Sequence, residues 1–472
     1  MSIHTHGLLD RTLRNLRTGW RNIAGTSYNA EAASHRPGLP NDDLPAIREQ
    51  ITACLEGKGG EVSARSRAAA LGHVYLALEP TGRQRFLKLL NDDFGPDEAQ
   101  VETAIGNYRR AKDAAERQSA EGEMRHALEA PRLRLLRQFN DLPDGVKFLV
   151  DMRAELLNLV RQDPSLVLLE QDLRHLLKSW FDIGFLELRR ITWDTSSAAL
   201  LEKLIAYEAV HAIESWDDLK NRLDSDRRCF AYFHPKMPDE PLIFVEVALV
   251  NGLAANVQTL LDEDAPVQNP KSANTAIFYS ISNAQKGLAG ISFGNFLIKR
   301  VAAQLSQDFP SLKTFATLSP IPGYMKWLNG AIAEGQAKFL KPAERKALTE
   351  AAGRSGAKGT LKSLLADNQW AQDEGIANAL KGPLTRLAAH YLAEQKGRDQ
   401  NRAYDPVAHF HLSNGAIIER LNWLGDHSDN GFTQSAGLMV NYLYDLSRID
   451  DNHEAYTGAG RVTVSTDIKA HL

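Results

Sequence analysis

Ala276-Ile-Phe-Tyr-Ser-Ile281, then Gln285-Lys-Gly-Leu-Ala-Gly-Ile-Ser-Phe-Gly294, then the run from Phe293 to Leu305, then Thr314-Phe-Ala-Thr-Leu-Ser-Pro-Ile-Pro-Gly323 follow one another in the chain. The first is a short run of aromatic and β-branched residues and reads as a strand. The second is a glycine-rich turn. The third places Phe293, Leu297, Val301 and Leu305 on one helical face and turns Lys299, Arg300 and Gln304 away. The fourth opens as another strand and ends in a proline turn. Strand, glycine turn, helix and strand make a βαβ-like unit, so an α/β sheet domain is expected here.

Working outward, Cys229-Phe-Ala-Tyr-Phe233 and Leu242 to Val250 have the same strand character and are assigned to the same sheet. Upstream the chain changes. Helical spacing runs from Pro96 through Val101, Ile105 and Tyr108, resumes after Pro143, and resumes again from Leu166 to Leu177. No strand is expected before about residue 190. Downstream, Lys341 to Asp399 is rich in Ala, Lys, Glu and Gln, with a loop expected at Gly353–Gly359. Strands are expected to return at Ala403–Ile418 and Ala436–Tyr444. The expected fold class is α+β: a helical bundle over 1–180, then a mixed α/β sheet domain over 181–472 with a helical insertion at about 330–400.

The composition excludes several function classes. With 472 residues, 43% of them hydrophobic, two or three cores are expected. A net charge of −4 gives no field that recruits nucleic acid or an anionic membrane, and the aromatic strands lack interleaved basic residues. Neither nucleic acid nor membrane is therefore an expected partner. Cys54 and Cys229 stand alone and far apart, which points to a reducing compartment. Ser2 to Asn29 carries Arg11, Arg14, Arg17 and Arg21 against a single Asp10. It reads as a basic surface helix or, alternatively, as a mitochondrial transit peptide. A cytoplasmic, bacterial location is expected, or a mitochondrial one on the second reading. The ending Ala470-His471-Leu472 is not a peroxisomal address.

Three places invite chemistry. Glycines in the turn let backbone N–H groups approach an anion, and the following helix adds a favourable dipole. The turn matches neither the P-loop nor the dinucleotide fingerprint, and a ligand-free β–α connection explains it equally well. Ser319 leaves a strand and precedes Pro320-Ile-Pro322, whose restricted φ angles present it rigidly; a serine opening a proline turn reads the same way. His409 and His411 share a face if their segment is a strand, and a metal reading with Asp405 or Asp426 is then open, although no motif supplies three or four ligands. The residues alone stop at a phosphorylated ligand on an α/β domain.

Beyond that point the chain resembles the malonyl-CoA decarboxylases. The resemblance is carried by Ala276 to Ser282, Gln285-x-Gly-Leu-x-Gly290, Gly294-x-Phe-Leu-Ile-Lys-Arg300 and Leu318-Ser-Pro-Ile-Pro-Gly323. It continues with Asp405-Pro-Val, Phe410-His-Leu-x-Asn-Gly-Ala416, Asn422-Trp423 and Gly437-Leu-Met-x-Asn-Tyr442. Arg190-Ile-Thr-Trp193, Glu208-Ala-Val-His211 and Arg227-Arg-Cys229 add to it. The resemblance implies a catalytic domain of the GNAT acyltransferase fold and a helical domain used for homo-oligomer contacts, in a dimer or tetramer. The implied substrate is malonyl-CoA, converted to acetyl-CoA and CO2 with no metal or organic cofactor. It implies catalytic roles for Ser319, His411 and Tyr444, and coenzyme A binding at Ala289, Gly290, Ile291, Ser292, Phe293, Gly294 and Asn295. Asn414 is a further candidate of our own for orienting the substrate, and a turn residue reads the same way. Some members carry a glutamate where this chain has Ser292. An acyltransferase acting from the same coenzyme A site, or an inactive acyl-CoA sensor, are the alternatives.

Overall fold

The computed structural model of the chain describes Trp20, Ile23 and residues 36–57, 60–291, 297–334, 340–355, 361–397 and 401–472. Over these the chain forms two compact units. One takes Met1–Glu187 with Phe233–Leu242 and Asn283–Ser292; the other takes Leu188–Tyr232, Ile243–Ser282 and Phe293–Leu472.

The first unit is helical. Its helices include Glu98–Arg110, Gly145–Leu159 and Val167–Trp180, the three that the prolines and spacing predict. Asp97 caps the first of them by accepting from the N–H groups of Ala99 and Gln100, which satisfies two donors the helix itself leaves unpaired. The core is aromatic: the Phe148 ring lies 4.6 Å from that of Trp20, 5.2 Å from Phe139 and 5.5 Å from Tyr75, mostly edge-on. Helix Gly145–Leu159 also buries Arg153 against Glu170, with Nη2 at 2.7 Å from the carboxylate.

The second unit is built on an eight-stranded mixed sheet: β1 (Glu187–Ile191), β2 (Arg227–Phe233), β3 (Ile243–Val250), β4 (Thr275–Asn283), β5 (Thr314–Thr317), β6 (Ser319–Pro320), β7 (Ile417–Asn422) and β8 (Met439–Leu443). The order is β1-β2-β3-β4-β5-β8-β6, with β7 also paired to β8. Strands β4 and β5 are parallel, as the βαβ reading requires, and helix Leu297–Asp308 makes the crossover. Strands β5, β6 and β7 all run antiparallel to β8. One face of the sheet packs Ala248, Ile277, Tyr279, Ala316, Leu318 and Met439 against Val257 and Leu260. The fold class is α+β, as expected.

Between β6 and β7 the described helices include Tyr324–Ala333, Pro342–Ser355, Leu361–Leu364 and Glu374–Glu394. Gly353 stays inside a helix rather than opening a loop, and 356–360 lie outside the described residues. Half of the expected strand at Ala403–Ile418 is instead a helix, Pro406–Ser413, and β7 begins at Ile417. Asp405 and Pro406 decide this: the carboxylate accepts from Val407 N at 2.9 Å and Ala408 N at 3.0 Å, and proline at the first helical position has its φ already set. Among the described residues no helix is long and apolar enough to cross a membrane.

Candidate active site

Along an antiparallel pair, residues directly opposite share a face, and so do residues two apart. Ser319 lies opposite Val440 and Ala316 opposite Leu443, which puts Thr317 opposite Tyr442. Thr317, Ser319, Tyr442 and Tyr444 therefore rise from one face. The pairing between Thr317 and Tyr442 runs through a side chain: Tyr442 N–H donates to Thr317 Oγ1 at 3.1 Å. The Thr317 carbonyl accepts instead from the fully buried amide of Asn441, at 2.7 Å.

Helix Pro406–Ser413 brings His411 to this face. His411 Nε2 lies 3.1 Å from Ser319 Oγ, and Nδ1 lies 2.7 Å from the Tyr444 hydroxyl. The imidazole stacks on the Tyr442 ring with centroids 4.5 Å apart and planes 24° apart. Ser319 in turn donates to Thr317 Oγ1 at 2.9 Å. All of these side chains are buried. Burial without a charged partner disfavours the imidazolium and lowers the His411 pKa to about 3, while it pushes the Tyr444 phenol well up. The site is a neutral, buried line of hydroxyls and one imidazole.

One carboxylate ties the two sides of this line together. Asp405 Oδ1 caps the helix that carries His411, while Oδ2 accepts from Gly323 N at 3.4 Å and from the Tyr391 hydroxyl at 3.2 Å. Gly323 closes the Ser319-Pro-Ile-Pro turn, and it must be glycine: a Cβ there would lie 2.2 Å from Tyr391 Oη.

The face shared by His409 and His411 on a strand does not form. Two residues apart on a helix they point to different sides, and His409 Nδ1 meets the Tyr456 hydroxyl at 2.8 Å. Among the described residues no three His, Cys, Asp or Glu side chains converge as metal ligands would. Asn414 is not bonded to this line of side chains. It ends the helix, donating from Nδ2 to Phe410 O at 2.7 Å, and its buried Oδ1 has no hydrogen-bond partner.

The described part of the glycine turn, as far as Ile291, belongs to the first unit. There the first glycine serves packing, since a Cβ on Gly287 would lie 1.8 Å from the Val150 carbonyl oxygen. Arg153 donates to the carbonyls of Gly287 and Ala289, and Arg174 donates to that of Gly290 at 3.1 Å. Gly290 has φ +74°, a conformation that suits glycine. The N–H groups of Ala289 and Ile291 close the turn itself, bonding to Lys286 O and Leu288 O. Ser292, Phe293, Gly294 and Asn295 lie outside the described residues.

Two family models match in tandem: the malonyl-CoA decarboxylase N-terminal domain over residues 94–181 and the malonyl-CoA decarboxylase C-terminal domain over 184–472. The chain belongs to the malonyl-CoA decarboxylase family. Among similar proteins, the mitochondrial malonyl-CoA decarboxylase of Rattus norvegicus is 36% identical over 474 residues, covering 95% of this chain and 92% of its own. The crystal structure of malonyl-CoA decarboxylase from Rhodopseudomonas palustris superposes with a TM-score of 0.82 at 42% identity, over 90% of this chain and 99% of that one. That from Agrobacterium vitis gives 0.81 at 42% identity over the same shares. Ser319, His411 and Tyr444 all fall in the part matched by the malonyl-CoA decarboxylase C-terminal domain. Thr317, Tyr442 and the double role of Asp405 were not singled out by the sequence. Period-two spacing from Ser319 and from Tyr444 finds the first two; the third depends on a contact across 82 residues.

Proposed function

We propose that Ser319, His411 and Tyr444 form the reacting centre of a carboxy-lyase that converts malonyl-CoA to acetyl-CoA and CO2. The observation that carries this reading is the buried hydrogen-bonded line from Tyr444 through His411 to Ser319. In the reaction the C2–C3 bond of the malonyl group breaks and CO2 leaves. The electron pair moves into a C1–C2 double bond, and negative charge gathers on the thioester oxygen. The thioester carbonyl is itself the electron sink, so the chemistry needs neither a metal nor an organic cofactor.

Three tasks remain for the protein. The carboxylate must be held so that its breaking bond aligns with the carbonyl π system, and Ser319 is placed to donate to it. The developing oxyanion must meet preorganised donors, each worth about 3–4 kcal/mol in favourable cases. C2 must then receive a proton, which we assign to Nε2 of His411; Nδ1 takes up the Tyr444 hydroxyl proton as it does so, and a proton from solvent restores the phenol as the products leave. A neutral imidazole suits this step, because it donates without carrying a buried charge. Gly290 and the residues that follow it would receive the coenzyme A diphosphate.

The test is incubation with malonyl-CoA alone, with and without a chelator. Acetyl-CoA and CO2 are expected without any acceptor, and unchanged by the chelator. His411→Asn and Ser319→Ala are expected to keep coenzyme A affinity and to lose about 10²–10⁴-fold in turnover, the scale of a positioned acid. Turnover like that of the unaltered chain in either variant removes that residue from the centre.

A further inference from the structure

Ser319 has one hydroxyl proton and two neighbours able to accept it. Thr317 Oγ1 lies 2.9 Å away and His411 Nε2 lies 3.1 Å away. The hydroxyl donates to Thr317. The contact between Ser319 and His411 must then be made by an N–H on Nε2. A neutral imidazole carries one N–H, so Nδ1 is left as the acceptor for the Tyr444 hydroxyl at 2.7 Å. Every donor on the line points the same way: Tyr444 to His411, His411 to Ser319, Ser319 to Thr317. Reversing the Ser319 proton reverses the whole line and moves the imidazole proton to Nδ1, away from Ser319.

We propose that Thr317 is a positioning residue for decarboxylation, whose side-chain oxygen holds the Ser319 proton away from His411 and so keeps the imidazole proton on Nε2. The rest of its surroundings suit the role. Thr317 is fully buried and Ser319 nearly so, which sets their contact apart from bulk solvent. Its carbonyl is held by Asn441, and its oxygen is held by the Tyr442 N–H, whose ring underlies His411. When a malonyl carboxylate arrives, the Ser319 hydroxyl exchanges a neutral acceptor for a charged one. The His411 proton stays on Nε2 until C2 takes it, because Ser319 does not donate to the ring.

This inference rests on the reading of His411 as the proton donor to C2, and two variants of Thr317 separate the two ideas. Thr317→Val keeps the shape and removes the oxygen; Thr317→Ser keeps the oxygen. Thr317→Val is expected to lower kcat by about 10²-fold, the scale of a small misplacement of a reacting group, with KM for malonyl-CoA unchanged. Thr317→Ser is expected to restore most of it. Nitrogen-15 spectra of histidine-labelled enzyme, with the His411 signals identified by their loss in His411→Asn, report the tautomer without any turnover. They are expected to show Nε2–H in the unaltered chain and in Thr317→Ser, and a shift toward Nδ1–H in Thr317→Val. An Nδ1–H tautomer in the unaltered enzyme, or full kcat in Thr317→Val, overturns the role of Thr317. An active His411→Asn enzyme would instead overturn the reading beneath it.

Discussion

His411 illustrates how much one buried ring sets at the scale of a residue. Its ordinary pKa of 6.5 falls to about 3 in the fold because the ring is buried, with two hydroxyls and no counter-charge beside it. As pH drops through 6.5 the unfolded chain takes up a proton at this position while the native chain does not. The native state therefore loses stability as pH falls toward 3, by up to about 1.4 kcal/mol per pH unit from this group. Removing the ring should remove that slope. Urea unfolding at pH 7 and pH 4.5 is expected to show a smaller acid loss in His411→Asn than in the unaltered chain; equal losses would mean that His411 titrates normally. Between pH 5 and 8 the same depression predicts no His411 limb in the pH–rate profile. The sequence offered Ser319, His411 and Tyr444 through the family resemblance, and fourteen histidines gave no physical way to prefer one. What made His411 distinctive was its burial and its neighbours, which depend on residues about 92 positions away.

At the scale of elements, the parts that spacing could find were those held by local rules. The parallel β4–β5 pair, its crossover helix, the capped helix after Pro96 and the helix after Pro143 all follow from short-range patterns. The helix carrying His411 was missed for a local reason that was present in the chain. Asp405-Pro406 is a helix start, yet the alternating His409-Phe-His411 pattern reads as a strand. The same Asp405 then acts beyond its helix, holding the Gly323 N–H and the Tyr391 hydroxyl while fully buried. Asp405→Ala removes the cap, at a cost of about 1 kcal/mol, and leaves two further buried donors unpaired, at about 1–3 kcal/mol each. A stability loss of more than about 2 kcal/mol is expected by chemical denaturation, with turnover reduced because both sides of the Ser319–His411 contact lose their common anchor. A loss limited to about 1 kcal/mol would mean that the bridge to Gly323 contributes nothing.

For the whole molecule, the order of the chain and the order of the fold disagree. The break between helical and sheet character near residue 180 is visible in the sequence, and the two family models meet between 181 and 184. The helical unit nevertheless claims Phe233–Leu242 and Asn283–Ser292, both drawn from within the sheet half. No periodicity announces this, because the first glycine of the turn looks the same whether it serves an anion or the Val150 carbonyl. A chain begun at residue 182 would keep Gly287 and lose Val150, Arg153 and Arg174. Such a fragment is expected to bind coenzyme A at least tenfold more weakly than the full chain by calorimetry, with affinity regained when residues 1–181 are supplied separately. Full affinity in the fragment alone would show that the turn needs no support from the helices. For inheritance the implication is direct: these two sequence modules are not free to be exchanged between lineages. A recombination at the apparent seam would pair a turn with helices that had never co-adapted to its carbonyls, so the halves must travel together even though a gene could be cut cleanly between them.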